Sequence, residues 1–311
     1  MRYALGIAAA VIAGLAFNVG VLIQKEAVTR APKGRALMWH LVRNRVWLGG
    51  FALQFSIGTP LYMLAVGLIG PALVPGLMVI GLVVLAVGAV RIQKERMTGA
   101  EMLGIAFIVL AVAALGLTGL SIDVFGVSMK DPKLLVRSFL FTAGLIVTAL
   151  VCALLASRRE ERSDKPEGRR AETAATLHAV RAGIWYSLGN LGLGFVLAGL
   201  SRFKNLIFDP AEVLIFLAAV ALTVAGNVIG IAGTQHALSR GRAAIAIPLQ
   251  NCITQILPVG IFFLVYRPYT PEAGSFIFLG IGAVLLAAGA ILLTAKLAPG
   301  RTQALEQGTE E

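Results

Sequence analysis

Nine stretches of predominantly apolar residues follow one another along this chain, and no other feature restricts its fold so tightly. A run of about 20 such residues crosses a bilayer as a helix, because in hydrocarbon every backbone N–H and C=O must find its partner inside the segment. The runs place spans at Tyr3–Ile23, Val46–Ile69, Ala72–Val90, Gly99–Leu120, Leu134–Ala156, His178–Leu200, Glu212–Leu238, Ala243–Tyr266 and Gly274–Ala295. The expected fold class is therefore all-α, a polytopic membrane protein of about nine transmembrane helices. Charge agrees: 14% of the 311 residues are charged, where a soluble domain carries about 25%. The opening, MRYALGIAAAVIAGLAF, has the basic start and apolar run of a signal peptide. No small-x-small cleavage site precedes a mature domain, so it is read as a retained first span.

The net charge of +11 is placed between spans, where basic residues set orientation; nucleic acid is not an expected partner. Of the 27 Lys and Arg, 20 lie on one side of the predicted membrane: in residues 24–45, 91–98, 157–181 and 239–242 and in the C-terminal tail. Basic residues gather on the cytoplasmic side. The expectation is a multi-pass protein of the plasma (inner) membrane with its N-terminus outside and its C-terminus cytoplasmic. Tight joints at Gly70-Pro71 and at Ser239–Arg242 imply antiparallel neighbours.

The two halves of the chain resemble each other. Asn18-Val19-Gly20 parallels Asn190-Leu191-Gly192, and Ile57-Gly58 parallels Ile229-Gly230, both at an offset of 172. Pro75 parallels Pro248 at 173, and Leu103-Gly104-Ile105 parallels Leu279-Gly280-Ile281 at 176. Spans one to four then correspond to spans six to nine. Five crossings separate equivalent positions, and an odd number inverts the second copy. The expected organisation is a first repeat in residues 1–133, a linking span and hydrophilic loop in 134–177, a second repeat in 178–297 and a disordered tail in 298–311. Within the loop, residues 157–173 read as a solvated linker. Inverted repeats recur in secondary transporters, with the site at the repeat interface.

Residues 62–117, YMLAVGLIGPALVPGLMVIGLVVLAVGAVRIQKERMTGAEMLGIAFIVLAVAALGL, resemble the drug/metabolite transporter superfamily and its EamA-like group. The shared features are Gly70-Pro71, the helix started at Pro75, the Glu95-Arg96 loop and the Gly-rich helix at Gly104. Within that superfamily, the nine-span layout, Trp47-x-x-Gly50 and the Pro-Ala-Leu-Val run at 71–74 look like the NIPA-type magnesium transporters. Those proteins carry an acidic residue inside the second span, where this chain has Gln54, Ser56 and Thr59. The resemblance implies a transporter built from two inverted repeats.

All 16 acidic residues fall in loops, tails or the first turn of a span, with Glu101 and Glu212 nearest to membrane depth. Without a central carboxylate the spans offer neither a bare-ion site for Mg²⁺, which seeks oxygen ligands and sheds water reluctantly, nor a proton-coupling group. No Ser/His/Asp order, metal-ligand cluster or phosphate loop stands out, so neither enzyme activity nor a cofactor is expected. Cys152 and Cys252 lie in apolar runs and read as small buried hydrophobes. His236, near the end of span seven, reads as a hydrogen-bonded interfacial residue.

Polar residues inside the spans are the remaining clue. They include Asn18 and Gln24 in span one, Gln54, Ser56, Thr59 and Tyr62 in span two, Asn190 in span six, and Asn227 and Gln235 in span seven. Span eight adds a cluster within IPLQNCITQILP, residues 247–258. Its Gln250, Asn251, Thr254 and Gln255 fall within an arc of about 140° on a helix. Such a stripe faces protein or a water-filled cavity rather than lipid. One reading is interhelical glue, at about 0.6 kcal/mol per bond. The other is the wall of a solute pathway. Pro248 favours the second, because proline leaves a carbonyl one turn earlier without its donor; Pro60 and Pro75 are placed to do the same in the first half. The candidate pathway residues are Asn18, Tyr62, Asn190, Asn227, Gln250, Asn251 and Gln255. Gly226-x-x-x-Gly230 reads as close helix packing, and Lys25 as a side chain snorkelling to the interface.

A permease moving a small polar or amphiphilic solute by alternating access stands first among the expected functions. A magnesium transporter of NIPA type stands second, and a non-transporting membrane subunit or lipid-handling protein third. The expected partners are a small-molecule solute or Mg²⁺, the lipid bilayer, and a second copy of the chain in a homodimer.

Overall fold

The computed structural model describes residues 2–31, 36–69, 74–78, 80–92, 97–118, 128–161, 169–203, 209–267 and 273–294. Gly70-Pro71, Glu95-Arg96, the centre of the hydrophilic loop and the C-terminal tail lie outside them. All regular structure among the described residues is helical. The first half holds α1 (Arg2–Arg30), α2 (Leu37–Leu41), α3 (Arg45–Ala52), α4 (Thr59–Ile69), α5 (Val74–Met78), α6 (Ile80–Arg91) and α7 (Gly99–Leu117). There follow α8 (Pro132–Glu161), α9 (Arg169–Phe203), α10 (Pro210–Arg240), α11 (Ala243–Gly260) and α12 (Ala273–Thr294). Two π-helical stretches, π1 (Leu53–Gly58) and π2 (Ile261–Tyr266), prolong α3 and α11.

Eight of these helical runs are long and apolar enough to cross a membrane. The chain is a multi-pass α-helical membrane protein. The expected third span falls on α5 and α6, with Val79 between them outside the described residues. The count of eight is therefore a count among the described residues, and α6 with its 12 residues is not among the eight. The linker is also shorter than its composition implies. Helix α8 runs on to Glu161 and α9 begins at Arg169, because Arg, Glu and Ala favour helix where no Gly or Pro interrupts.

The prolines act in different ways. Pro75 lies in α5, and the carbonyl one turn before it belongs to Pro71, outside the described residues. Pro60 follows π1, in which Thr59 N–H donates to Gln54 O five residues back. A wider turn of this kind relieves the lost donor and the ring clash of a proline. Pro248 and Pro258 lie inside α11, and π2 begins three residues after the second.

Each half packs around one long helix. Helix α1 lies against α3, π1, α4 and α6, while α9 lies against α10 and α11. Helices α7 and α12 pack on each other across the halves, and α8 sits outside against α9 and π2. Small residues permit this. A Cβ on Gly81 of α6 would lie 2.2 Å from Gly14 O of α1, and Gly88 faces Leu22, so α1 and α6 run parallel in close contact. The close packing read from Gly226-x-x-x-Gly230 is present: a Cβ on Gly226 would lie 2.6 Å from Gly189 N of α9. The largest apolar cluster joins both halves through Leu22, Leu85, Ile108, Leu238, Ile247 and Leu293. Exposed Phe139 and Leu154 of α8 and Val284 of α12 form the oily exterior that lipid solvates.

The basic segments meet at one end of the bundle. Lys25 Nζ donates to the carbonyls of Leu238 and Gly241, at 2.5 Å each, where the C-terminal end of α10 carries negative dipole charge. Lys25 is thus an interhelical tie rather than a snorkelling side chain. Arg242, the N-cap residue of α11, forks onto the Glu101 carboxylate at 2.7 and 3.2 Å, and its Nε lies 3.2 Å from Glu172 of α9. Glu101 is 1% exposed, and it completes a capping box with Thr98 at the start of α7.

Candidate functional site

Two connected polar groups lie within the spans, on either side of α10. The first is a relay of three glutamines. Gln54 of π1 donates Nε2 to the main-chain carbonyl of Phe17 at 2.9 Å. Gln24 of α1 donates to Gln54 Oε1 at 2.8 Å, and Gln235 of α10 donates to Gln24 Oε1 at 2.7 Å. A main-chain carbonyl only accepts, so Gln54 must turn its NH₂ to Phe17, and that choice sets the direction of every amide behind it. Glycines make the room. A Cβ on Gly20 would lie 2.5 Å from Gln54 Cγ, and one on Gly50 would lie 2.6 Å from Gly20 O.

The relay ends at Gln235. Its Oε1 accepts from no donor among the described residues, although the residue is only 2% exposed. A buried oxygen left without a donor costs about 1–3 kcal/mol. Groups of this kind in a native fold call for a bound water, ion or ligand, or a functional role.

The second group surrounds the neighbouring Thr234. Its hydroxyl oxygen lies 2.7 Å from Gln250 Oε1 of α11, 3.0 Å from Gly230 O and 3.4 Å from the Tyr186 hydroxyl of α9. Thr234 has one hydrogen to give, and Gln250 Oε1 is the nearest acceptor. Helix α10 therefore turns Gln235 to the first half and Thr234 to the second, and polar groups from α1, π1, α9, α10 and α11 form one layer.

Of the seven pathway candidates, Gln250 belongs to this layer. Asn18 is buried, but it donates to Gly14 O of its own helix at 2.8 Å, beside Gly81. Asn227 donates to its own Thr223 O at 2.9 Å, beside Gly189. Asn251 and Gln255 are half-buried, and their amides have no hydrogen-bond partner among the described residues; Thr254 donates to the Asn251 carbonyl at 3.0 Å. Tyr62 and Asn190 are exposed. Pro60 is exposed beside π1, and Pro248 is buried in α11. No hydrogen bond among the described residues joins two of the seven. Glu212, like Glu101, stands in the first turn of its helix, and His236 stacks on His178 of α9 at 5.4 Å between ring centres.

The relay residues Gln24, Gln54 and Gln235 stand out in the sequence as intramembrane polar groups, but composition does not rank them above the asparagines. Side-chain reach separates the two sets. The short asparagine amides at positions 18 and 227 return to the carbonyl four residues back, whereas glutamine, longer by a methylene, crosses to the next helix. Thr234 and Tyr186 carry no sequence signal of their own. Among the described residues, no three of His, Cys, Asp and Glu come together in a way that could hold a metal ion. No family model, curated protein or solved structure matches the chain.

Proposed function

We propose that the protein is a permease that moves a small neutral polar solute across the plasma membrane by alternating access. The observation that carries this reading is the unpaired, buried Gln235 oxygen, at the end of a relay that ties α10 of the second half to α1 and π1 of the first. A solute bearing an O–H or N–H supplies the missing donor, and Gln250 and Tyr186 flank the same stretch of α10. The ties of Lys25 and Arg242 close the basic end, which is the cytoplasmic end by the distribution of Lys and Arg. Reopening that end breaks the Gln235–Gln24 bond, and the solute's own hydrogen bonds offset the loss. Two inverted four-helix repeats supply the moving parts. The sequence offsets support this, as does the recurrence of the pairings of α1 with α3 and α6 in those of α9 with α10 and α11. The resemblance to the drug/metabolite transporter superfamily agrees with it.

Amides and hydroxyls line the layer, and they suit a neutral solute better than Mg²⁺, whose protein ligands are commonly carboxylates. No enzymatic role is proposed. The test is flux in proteoliposomes, with nucleosides, sugars, amino-acid amides and Mg²⁺ offered separately. We expect flux of at least one neutral solute, lowered about tenfold or more by Gln235→Leu through the loss of one hydrogen bond. Flux that persists in Gln235→Leu, or flux of Mg²⁺ and of no organic solute, overturns the proposal.

A further inference from the structure

A groove of about 420 Å³ runs between α1 and α6, and no residue of the relay lines it. Its walls are apolar, with Val19 and Ile23 on one side and Val83 and Val87 on the other. Val83 and Val87 are each 48% exposed, so no other helix among the described residues covers the groove. Because α1 and α6 run parallel, Glu26 and Arg91 line the same end of it, the end where Lys25 meets α10. The two opposite charges do not pair with each other. Glu26 pairs with Arg30 on its own helix at 2.8 Å, an exposed pair of a kind that is weak and readily exchanged. Arg91 has no ion-pair partner among the described residues.

An open apolar groove at membrane depth is filled by whatever the bilayer offers, and that is an acyl chain. The mouth selects the headgroup. A guanidinium prefers a phosphate, and a carboxylate held apart from it prefers an ammonium that can donate hydrogen bonds. We propose that the groove is a binding site for one glycerophospholipid with a phosphoethanolamine headgroup. Its acyl chain lies between α1 and α6, its phosphate on Arg91 and its ammonium on Glu26. Phosphatidylcholine lacks the N–H donors, and phosphatidylglycerol lacks the cation. The site is independent of the transport reading and stands or falls without it.

Native mass spectrometry of the purified full chain, released from nanodiscs of equal parts phosphatidylethanolamine, phosphatidylcholine and phosphatidylglycerol, reads the occupancy directly. The expected result is one retained phosphatidylethanolamine per chain, in preference to the other two. Val87→Trp, which fills the groove, and Arg91→Gln, which removes the phosphate partner, should each abolish that preference. Both positions are exposed, and a monodisperse size-exclusion peak checks folding; Val83→Trp replaces Val87→Trp if that variant does not fold. The proposal is overturned if the wild-type protein shows no preference, or if the preference survives either kind of substitution.

Discussion

Replacing Gln24 by Leu should weaken the protein far more than replacing Gln235 by Leu, although both residues belong to one relay and both are 2% exposed. Gln24 sits in the middle: it accepts from Gln235 and donates to Gln54. Its removal loses two interhelical bonds, about 1 kcal/mol together at the membrane-protein average. It also strands a donor on Gln235 and an acceptor on Gln54, at about 1 kcal/mol each toward the lower end of the usual range. The sum is about 3 kcal/mol. Gln235→Leu loses one bond and strands the Gln24 oxygen, but it also removes the oxygen that had no donor to begin with. Those last two effects nearly cancel, which leaves about 0.6 kcal/mol. At about 2 °C per kcal/mol for a large chain, thermal unfolding in one detergent at one scan rate should show losses of about 6 °C and about 1 °C. Equal losses in the two variants would refute the directed relay, and with it the unpaired oxygen on which the functional proposal rests.

Other outcomes follow from the same geometry. Arg242→Ala removes the fork on the buried Glu101 carboxylate, which keeps the hydrogen bond from Thr98 N–H; such a break costs about 3–5 kcal/mol in a full interior, and the 21% side-chain exposure of Arg242 lowers the expectation to about 2–3 kcal/mol. Adding Glu101→Gln to that variant should restore part of the loss in the same melt. Gly226→Leu drives a side chain into the backbone of α9 at Gly189 and should cost at least the about 1–3 kcal/mol typical of overpacking; an unchanged melting temperature would contradict the close α9–α10 contact. For orientation, an impermeant thiol reagent applied to intact cells should label Tyr3→Cys and spare Thr302→Cys, and the reverse pattern would invert the assigned sidedness.

The all-helical membrane fold is legible in the sequence because a bilayer leaves an apolar run of 20 residues almost no other choice. At the third span the described residues comprise α5 and α6, with Val79 between them outside the description. Helix ends are harder to read. Polar helix formers such as those at 158–161 and 169–173 extend α8 and α9 past the hydrocarbon boundary that hydropathy marks. The site is only half legible. That amides cluster inside the spans is plain, and Gln250, one of the residues singled out, bonds to Thr234 of the neighbouring helix. Whether an amide turns to its own helix, as Asn18 and Asn227 do, or to a neighbour, as Gln24 and Gln235 do, depends on contacts between residues about 30 and 211 positions apart. Local pattern does not carry that information. The ties of Lys25 and Arg242 are of the same long-range kind. They agree with the charge count in bringing residues 24–45, 157–181 and 239–242 to one end.

Alternating access is the central claim, and thiol accessibility at the polar layer tests it whatever the solute. With Cys152 and Cys252 replaced by Ala, Gln250→Cys should be modified by an impermeant reagent from outside in intact cells, and also from the cytoplasmic face in inverted vesicles. Modification from one face only, or from neither, would contradict the claim and reduce the amide layer to packing.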